Sequence, residues 1–310
     1  MAKGRRVFPL VPRRRLTGVA YGSQRSRRRG QGAEVAGTRP YVPGDRLAWI
    51  DWYASARASL ARDDDVLVVR QHFAEVAPRV VLVVDKRPSM SLYPDDLPWL
   101  SKPAVVREAT VAIVAAVRAA RAYLGYLDFA GGAGGRPAAA HWIAPHRQNT
   151  SRIVSRATGE FTAPPESVAL ALDYLLGLPS DAPAGTFVFV VSDFLEPVPD
   201  TLWSRAHARG WDVVPVVVQD PVWEQSFPAV GRVLLPVVDP ATGRRGSLRL
   251  SAREVETRRT ANEERLDTTL TRFRRLGFDP ILLGTADPAT IDASFIRWAG
   301  RRQTTRRRVA

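Results

Sequence analysis

The sequence contains no cysteine in its 310 residues. This absence excludes a disulfide framework, thiol catalysis and zinc sites built on cysteine. The four histidines, His72, His141, His146 and His207, lack the spacing of metal ligands. A phosphate-binding Gly-x-x-x-x-Gly-Lys-Ser/Thr loop and a Gly-x-Ser-x-Gly nucleophile elbow are also missing. With these motifs absent, no residue is predicted to be catalytic.

Long hydrophobic runs are missing as well. The longest mainly apolar stretch, residues 104–122, is interrupted by four charged side chains, so a membrane span is not predicted. The apolar residues 7–11 contain proline and are flanked by arginine, which does not suit a secretory signal. Hydrophobic residues still make up 45% of the chain, enough for a sizeable core. We therefore expect a cytoplasmic protein without a transmembrane segment.

Positive charge is abundant but unevenly placed. The formal net charge is +14, yet residues 1–30 hold ten Lys or Arg and no acid, and residues 296–310 hold six Arg and no acid. The rest of the chain carries 29 basic and 31 acidic residues. Two interpretations stay open. The basic ends are solvated tails, or they bind nucleic acid or an anionic surface weakly by electrostatic attraction.

Short β-branched runs alternate with segments of helical spacing in the middle of the chain. The predicted strands are residues 66–73, 79–84, 123–129, 138–143, 186–191 and 211–218, and the predicted helices are 103–122, 150–157, 165–176 and 201–209. A Gly-rich stretch, residues 131–135, suits a hairpin loop. This alternation predicts an α/β fold, with a mainly parallel sheet and helices on both faces.

Three segments are predicted along the chain. Residues 1–64 form a basic tail and an irregular segment, residues 65–235 form the sheet domain, and residues 236–310 form a C-terminal hairpin and helical extension. The hairpin strands are expected at residues 233–238 and 247–250. A capping box of Ser251 and Glu254 then begins a long charged helix that ends at Gly277.

Two aspartates follow strands of the central, buried type. Asp85 comes directly after the apolar run 79–84, and Asp193 follows the run 186–191 and Ser192. Ligands bind beyond the carboxyl ends of strands in an open parallel sheet. Two carboxylates with serine hydroxyls suit a hard cation such as Mg²⁺. We expect Asp85 and Asp193 to lie close together at this edge; the alternative is that each caps the following helix.

The segment before the sheet carries a long pattern. It starts with Tyr21-Gly22-Ser23-Gln24-Arg25-Ser26 and leads to Gly30-Gln31-Gly32. Three further blocks follow, Arg39-Pro40-Tyr41-Val42-Pro43-Gly44-Asp45, Ile50-Asp51-Trp52 and Ser55-Ala56-Arg57. In order and spacing these residues resemble the signature of bacterial domain-of-unknown-function family 58. The members of that family carry a fold like the von Willebrand factor A (VWA) domain. The resemblance runs from about residue 20 to the C-terminus. The signature residues are Arg39, Tyr41, Pro43, Gly44, Asp45, Ile50, Asp51, Trp52, Ala56 and Arg57.

Two further expectations concern side chains of this segment. Asp51 is expected to pair with Arg46 or Arg57 rather than to act in catalysis. Trp49 and Trp52 are expected to pin the segment onto the sheet through their large apolar rings.

The resemblance implies a metal-ion-dependent adhesion site in degenerate form. VWA domains of this kind often hold a divalent cation through an Asp-x-Ser-x-Ser motif, a later threonine and a further aspartate. Asp85, Ser89 and Asp193 match this set, and Arg87 stands where the first serine belongs. Thr150 or Ser151 could supply the hydroxyl of the middle loop. A guanidinium between two carboxylates can replace a metal as their counter-charge, and it opposes metal entry. We expect no cofactor, or weakly bound Mg²⁺ at most.

The resemblance also implies a function. Members of the family are usually encoded near MoxR-type AAA+ ATPases. This implies a non-enzymatic adaptor that binds such an ATPase, or its client, during assembly or maturation of protein complexes. Arg87, Asp85, Ser89 and Asp193 are the expected partner-binding residues. Two alternatives stay open: a nucleic-acid-binding protein that uses the arginine-rich ends, and a metal-dependent hydrolase at Asp85 and Asp193.

Overall fold

The computed structural model describes residues 5–13, 24–62, 64–92, 100–131, 138–230, 233–240 and 242–309. The chain divides into two compact units, residues 14–78 and the remainder, residues 1–13 with 79–310. Signature residues 21–23 and loop residues 132–135, which the sequence analysis singled out, lie outside the described residues.

The smaller unit is built on one antiparallel strand pair. Its elements are β1 (Gln24–Pro40), a 3₁₀ turn (Leu47–Trp49), α1 (Trp52–Arg62) and β2 (Val68–Val76). β1 pairs with β2 through a register that shifts three times. The expectation of an irregular segment was wrong for β1, because pairing with β2 gives this Gly- and Arg-rich stretch a hydrogen-bonding partner that its composition does not reveal.

The larger unit contains the central sheet. In chain order its elements are β3 (Arg79–Val84), a 3₁₀ turn (Pro88–Ser91), α2 (Lys102–Ala119), β4 (Tyr123–Asp128), β5 (His141–His146), α3 (Thr150–Ala157), α4 (Ser167–Leu176), β6 (Phe187–Ser192), α5 (Asp200–Ala208), β7 (Asp212–Val218), β8 (Val233–Val238), β9 (Arg245–Leu250), α6 (Ala252–Arg275), β10 (Ile281–Leu283) and α7 (Pro288–Val309). The six-stranded sheet has the order β10-β7-β6-β3-β4-β5. All its neighbouring strands are parallel except β5, which runs antiparallel to β4.

Both faces of this sheet are covered by helices. Along β3, Val80 and Leu82 pack in one buried cluster with residues of α2, α3 and α7, while Val81 and Val83 pack in a second with residues of α4, α5 and α6. Alternating side chains of a strand point to opposite faces, so a run that is apolar throughout needs cover on both. The predicted fold class, a mainly parallel α/β sheet with helices on both faces, is confirmed. None of the helices in the described ranges is both long enough and apolar enough to span a bilayer.

Parts of both basic chain ends are packed within the larger unit. Phe8 is 1% exposed and stacks on Phe295 of α7 with ring centroids 4.7 Å apart. Arg302 of α7 is buried and pairs with Asp212 and Asp279. These contacts anchor residues 5–13 and the first part of the C-terminal arginine cluster to the larger unit.

Candidate functional site

The chain topology creates a switch point between β3 and β6. From β3 the chain continues to β4 on one side, while β6, the next parallel strand, lies on the other side of β3. A crevice forms beyond the carboxyl ends of two strands where the connections diverge in this way. Asp85 follows β3 and Asp193 follows β6, so both begin their loops at this point. The Asp85 N–H still donates to the Val191 carbonyl at 2.9 Å, which keeps the two strand ends in register.

One guanidinium joins the two aspartates. Arg87 donates from Nε and Nη2 to Asp85 Oδ2 at 2.8 and 2.6 Å. The same Nη2 donates to Asp193 Oδ1 at 2.5 Å. Asp85 and Asp193 are 1% and 0% exposed, and Arg87 is 5% exposed. The expected proximity of the two aspartates at the carboxyl edge is therefore found, and Arg87 lies between them.

Hydroxyl and amide groups occupy the remaining acceptor positions of Asp85. Ser192 Oγ donates to Asp85 Oδ2 at 2.7 Å. Ser167 Oγ, at the start of α4, donates to Asp85 Oδ1 at 2.9 Å, and the Arg87 N–H donates to the same oxygen at 3.0 Å. Asp85 thus accepts five hydrogen bonds and needs neither water nor a metal to satisfy it.

Asp193 is satisfied in the same manner, with a second cation. Ser89 Oγ donates to Asp193 Oδ2 at 2.8 Å, and the Leu195 N–H donates to Oδ1 at 3.1 Å. The Lys102 ammonium donates to Oδ2 at 3.1 Å. Burial opposes the ionisation of Asp193, but the charges of Lys102 and Arg87 outweigh it and hold the pKa of this carboxyl below its ordinary value.

Lys102 and Glu224 extend the cluster, and the sequence analysis missed both. Lys102 is 0% exposed at the first residue of α2, and its ammonium also pairs closely with the Glu224 carboxylate. Burial raises the pKa of Glu224 and Lys102 opposes this rise. Glu224 Oε2 accepts the Asp220 N–H at 2.8 Å, so these connected charges extend to the loop after β7. We call these five side chains the ionic cluster: Asp85, Arg87, Lys102, Asp193 and Glu224.

The ionic cluster does not suit a divalent cation. All four oxygens of Asp85 and Asp193 accept N–H or O–H donors, and two fixed positive charges stand against these carboxylates. A cation would have to displace both Arg87 and Lys102 to reach them. Over the residues that the structure describes, no group of three or more His, Asp or Glu side chains is arranged to hold a metal ion.

Thr150 does not join this site. β5 runs antiparallel to β4 and carries the chain back to the amino edge of the sheet, where Asn149 donates to the Leu124 carbonyl at 3.4 Å. The Thr150 hydroxyl accepts from Arg118 Nη2 at 2.6 Å. Thr150 therefore lies away from Asp85 and Asp193, because a hairpin between β4 and β5 returns the chain to the edge of the sheet from which β4 starts.

Lys86 is a further buried cation beside the site. Its side chain is 0% exposed, and its ammonium donates to the carbonyls of Ala157 and Gly159 at 3.1 and 2.6 Å. The ammonium also lies 3.9 Å from the centroid of the Phe161 ring. Burial lowers the pKa of Lys86 to about 8. Lys86 thus caps the carboxyl end of α3, where the backbone carbonyls favour a cation.

Burial also limits which predicted partner-binding residues a protein can reach. Asp85, Asp193 and the Arg87 side chain, which is 7% exposed, lie below the surface of the edge. Ser89 is half-buried and Ser91 is exposed. A direct pair between Arg87 and an acid of a partner would require Arg87 to leave two internal carboxylates.

The signature residues form a separate set of contacts within the smaller unit. Arg39 donates to both Asp45 oxygens, at 2.7 and 2.5 Å, and Asp45 also accepts the Val42 N–H. Gly44 has a φ of 101°, which only glycine adopts readily, and this explains the Pro-Gly-Asp turn.

Asp51 and Trp52 differ from expectation. Asp51 accepts the Ala54 N–H at the start of α1, and it pairs with Arg70 rather than Arg46 or Arg57. Trp52 is 68% exposed, so it does not pin this segment to anything in the described residues. The reason is that α1 packs through small residues: Ser55 is its buried residue and bonds to the backbone of Val68.

Comparison with known proteins bears on the family. A family model described as "Protein of unknown function DUF58" matches residues 37–268, most of the chain. The chain belongs to the DUF58 family. The family to which the signature residues pointed is thereby confirmed. No curated protein matches the chain.

Several solved structures are similar to the DUF58 chain at low identity. The conserved hypothetical protein BatB from Bacteroides thetaiotaomicron is 13% identical, with 72% of this chain and 100% of that chain covered and a TM-score of 0.39. A von Willebrand factor type A protein from Catenulispora acidiphila is 13% identical over 74% of this chain and 43% of that chain, with a TM-score of 0.37. An aerotolerance-related membrane protein from Bacteroides fragilis is 11% identical over 73% and 100%, with a TM-score of 0.37. Similarity at this level does not extend to function.

Proposed function

We propose that this DUF58 protein is a non-enzymatic protein-binding module whose carboxyl sheet edge contacts its partner. The observation that carries the proposal is the ionic cluster. Its carboxylates are committed to internal donors, so they offer neither a free base nor an open metal position. A fully satisfied buried network instead fixes the loops that leave the strand ends. Loops that are already held in one conformation lose less conformational entropy when they bind a protein.

The partner in this proposal is a MoxR-type AAA+ ATPase or its client, as the family resemblance implies, and the setting is the cytoplasm. Partner contacts come from the exposed part of the loop, with Ser91 exposed and Ser89 half-buried. The buried residues Asp85, Arg87 and Asp193 act by positioning this loop.

A matched pair of variants tests the binding edge. Ser91→Arg adds a bulky charged side chain to the exposed part of the loop after β3. Ser180→Arg adds the same group at the opposite edge, where the Ser180 carbonyl accepts from Arg79 at the start of β3. We expect Ser91→Arg to weaken binding to the purified AAA+ ATPase of the same organism by roughly tenfold or more, which is about 1.4 kcal/mol. Ser180→Arg should bind like the parent. Equal affinities for both variants, or no complex with the parent chain, would refute the proposed edge.

The same proposal predicts that Mg²⁺ contributes nothing to the fold. A ligand that binds the folded state raises its stability by mass action. We therefore expect the same thermal unfolding midpoint in EDTA and in excess Mg²⁺, measured on the parent protein. A midpoint that rises with the Mg²⁺ concentration would mean that a cation displaces Arg87 or Lys102. It would support the alternative of a metal-dependent hydrolase at Asp85 and Asp193.

A further inference from the structure

The β8–β9 hairpin presents one face to solvent. Its register pairs Leu234 with Arg249, Pro236 with Ser247, and Val238 with Arg245. These six side chains share one side of the strand pair, because paired residues and their second neighbours point the same way. All six residues are exposed, with Leu234 at 65% and Val238 at 57%. We call this surface the hairpin face.

The opposite side of the hairpin is anchored at its base. There Leu250 is 1% exposed and Leu235 and Leu248 are half-buried, while Val237, nearer the turn, is 42% exposed. Leu250 directly precedes the capping box of Ser251 and Glu254 that begins α6, so the base of the hairpin is tied to this helix. Two-stranded hairpins are marginal in water by themselves. An apolar row left outward on such an element marks an interaction surface rather than part of the core.

The outer edge of β8 is a poor site for the addition of a further β-strand from a partner, which favours docking through side chains. The Asp239 N–H donates to the Arg244 carbonyl at 2.9 Å, which sets the phase of the ladder. Hydrogen-bonded pairs alternate along an antiparallel ladder, so the next such pairs contain residues 237 and 235 of β8. The backbone of Pro236, between them, faces away from β9. Proline has no N–H, so the outer edge of β8 lacks a donor at its centre.

The charge of the hairpin face indicates which kind of molecule can bind there. The face carries Arg245 and Arg249 beside the apolar row and contains no acidic residue. Asp239, in the turn, is held by the Thr242 hydroxyl at 2.6 Å. A second copy of the chain, docked face to face, would set arginines against arginines. Single-stranded nucleic acid would find no aromatic ring on the face to stack on.

We infer that the hairpin face docks a segment of a partner protein that carries apolar side chains flanked by Asp or Glu. The carboxylates pair with Arg245 and Arg249, and the apolar side chains cover Leu234, Pro236 and Val238. This face shares no residue with the carboxyl sheet edge, so the inference does not depend on the function proposed above.

Peptide binding to the full chain tests this inference. The probes are a labelled peptide that alternates Leu and Glu, and a matched peptide that alternates Leu and Lys, measured by fluorescence anisotropy. We expect the parent to bind the Leu–Glu peptide and not the Leu–Lys peptide. Leu234→Glu with Val238→Glu should weaken binding by roughly tenfold or more. Arg245→Glu with Arg249→Glu should reverse the preference. Leu170→Glu, on α4 at 42% exposure, is the matched control and should bind like the parent.

Each other outcome overturns the inference. Failure of the parent to bind the Leu–Glu peptide does so directly. Equal binding by the parent and both hairpin variants would assign the peptide to the basic chain ends. Sedimentation showing a parent dimer that Leu234→Glu dissociates would make a second copy the occupant. Binding of a single-stranded oligonucleotide that is lost only in the arginine variant would assign the face to nucleic acid. Circular dichroism of every variant verifies that the fold is retained.

Discussion

Arg87→Ala is expected to lower the free energy of unfolding by about 3–5 kcal/mol, because it leaves two buried carboxylates without the cation they share. Asp85 would keep its serine donors and Asp193 would keep Lys102, but the cluster would hold one cation for three carboxylates. Neither aspartate can gain solvent without the loops moving, since both side chains are 0% exposed. Urea unfolding of the parent and the variant, followed by circular dichroism, measures the difference.

The control is an arginine removed from an exposed ion pair. Arg205 pairs with Asp173 at 2.8 Å, with side chains 56% and 62% exposed. Exposed pairs contribute about 0–1 kcal/mol, so Arg205→Ala should stay within about 1 kcal/mol of the parent. If Arg87→Ala proved as mild as Arg205→Ala, Arg87 would not be the counter-charge of the site, and a divalent cation could take that place.

The part of the site that follows directly from local sequence was predictable. Asp85, Arg87 and Asp193 each lie within three residues of an apolar strand, and parallel strands bring their carboxyl ends to one edge. The fold class was also predictable, because buried strands and helices have different spacings of apolar residues that can be recognised in the sequence. Thr150 was assigned from the family pattern alone, although the hairpin expected around residues 131–135 already carries the chain away from the carboxyl edge.

The second half of the ionic cluster comes from distant parts of the chain. Lys102 begins α2 and Glu224 lies in the loop after β7, and only packing of α2 against the sheet brings them together. One sequence signal was present. The chain has 45 basic residues but only three lysines, and two of these, Lys86 and Lys102, lie in the middle of the chain and are fully buried. A lysine that persists in an arginine-rich chain is a candidate for a site that requires a compact ammonium rather than a planar guanidinium.

The role of Lys102 gives the second large effect. Lys102→Met removes the charge and keeps an unbranched side chain of similar length, so the loss of the ammonium dominates the change. Asp193 and Glu224 would then face each other's charge with Arg87 alone to compensate. We expect a loss of about 3–5 kcal/mol in the free energy of unfolding at neutral pH, as for other buried pairs broken on one side.

A double variant separates this electrostatic loss from a packing defect. Lys102→Met with Glu224→Gln removes both partners, and the amide oxygen of the glutamine can still accept the Asp220 N–H. The cluster then carries one cation and two carboxylates, the same net charge as the two cations and three carboxylates of the parent. Removal of both members of a buried ion pair is often close to neutral, so the double variant should recover most of the lost stability. A double variant as unstable as Lys102→Met would show that α2 needs the lysine for packing.

The pH dependence of Lys102→Met supplies an independent measurement on the same protein. Lys102 opposes the rise in the pKa of Glu224 and holds the pKa of Asp193 down, so its removal raises both folded-state pKa values. A carboxyl whose folded-state pKa lies above its unfolded value stabilises the fold when protonated. For Glu224, whose folded-state pKa is already raised, that contribution is complete below the unfolded value of 4.5 and is lost as the pH rises through the folded-state pKa. For Asp193 the lowered pKa stabilises the fold above its unfolded value of 3.8, and the rise of this pKa in the variant removes part of that stability. The deficit of Lys102→Met relative to the parent should therefore be largest near pH 7 and shrink as the pH falls toward 4.5. In Lys102→Met with Glu224→Gln the slope should be smaller, because Glu224 no longer titrates and only the pKa of Asp193 still responds to the loss of Lys102. A deficit that stays constant over this range would mean that Asp193 and Glu224 do not depend on the ammonium, and that Lys102 is a structural side chain without an electrostatic role.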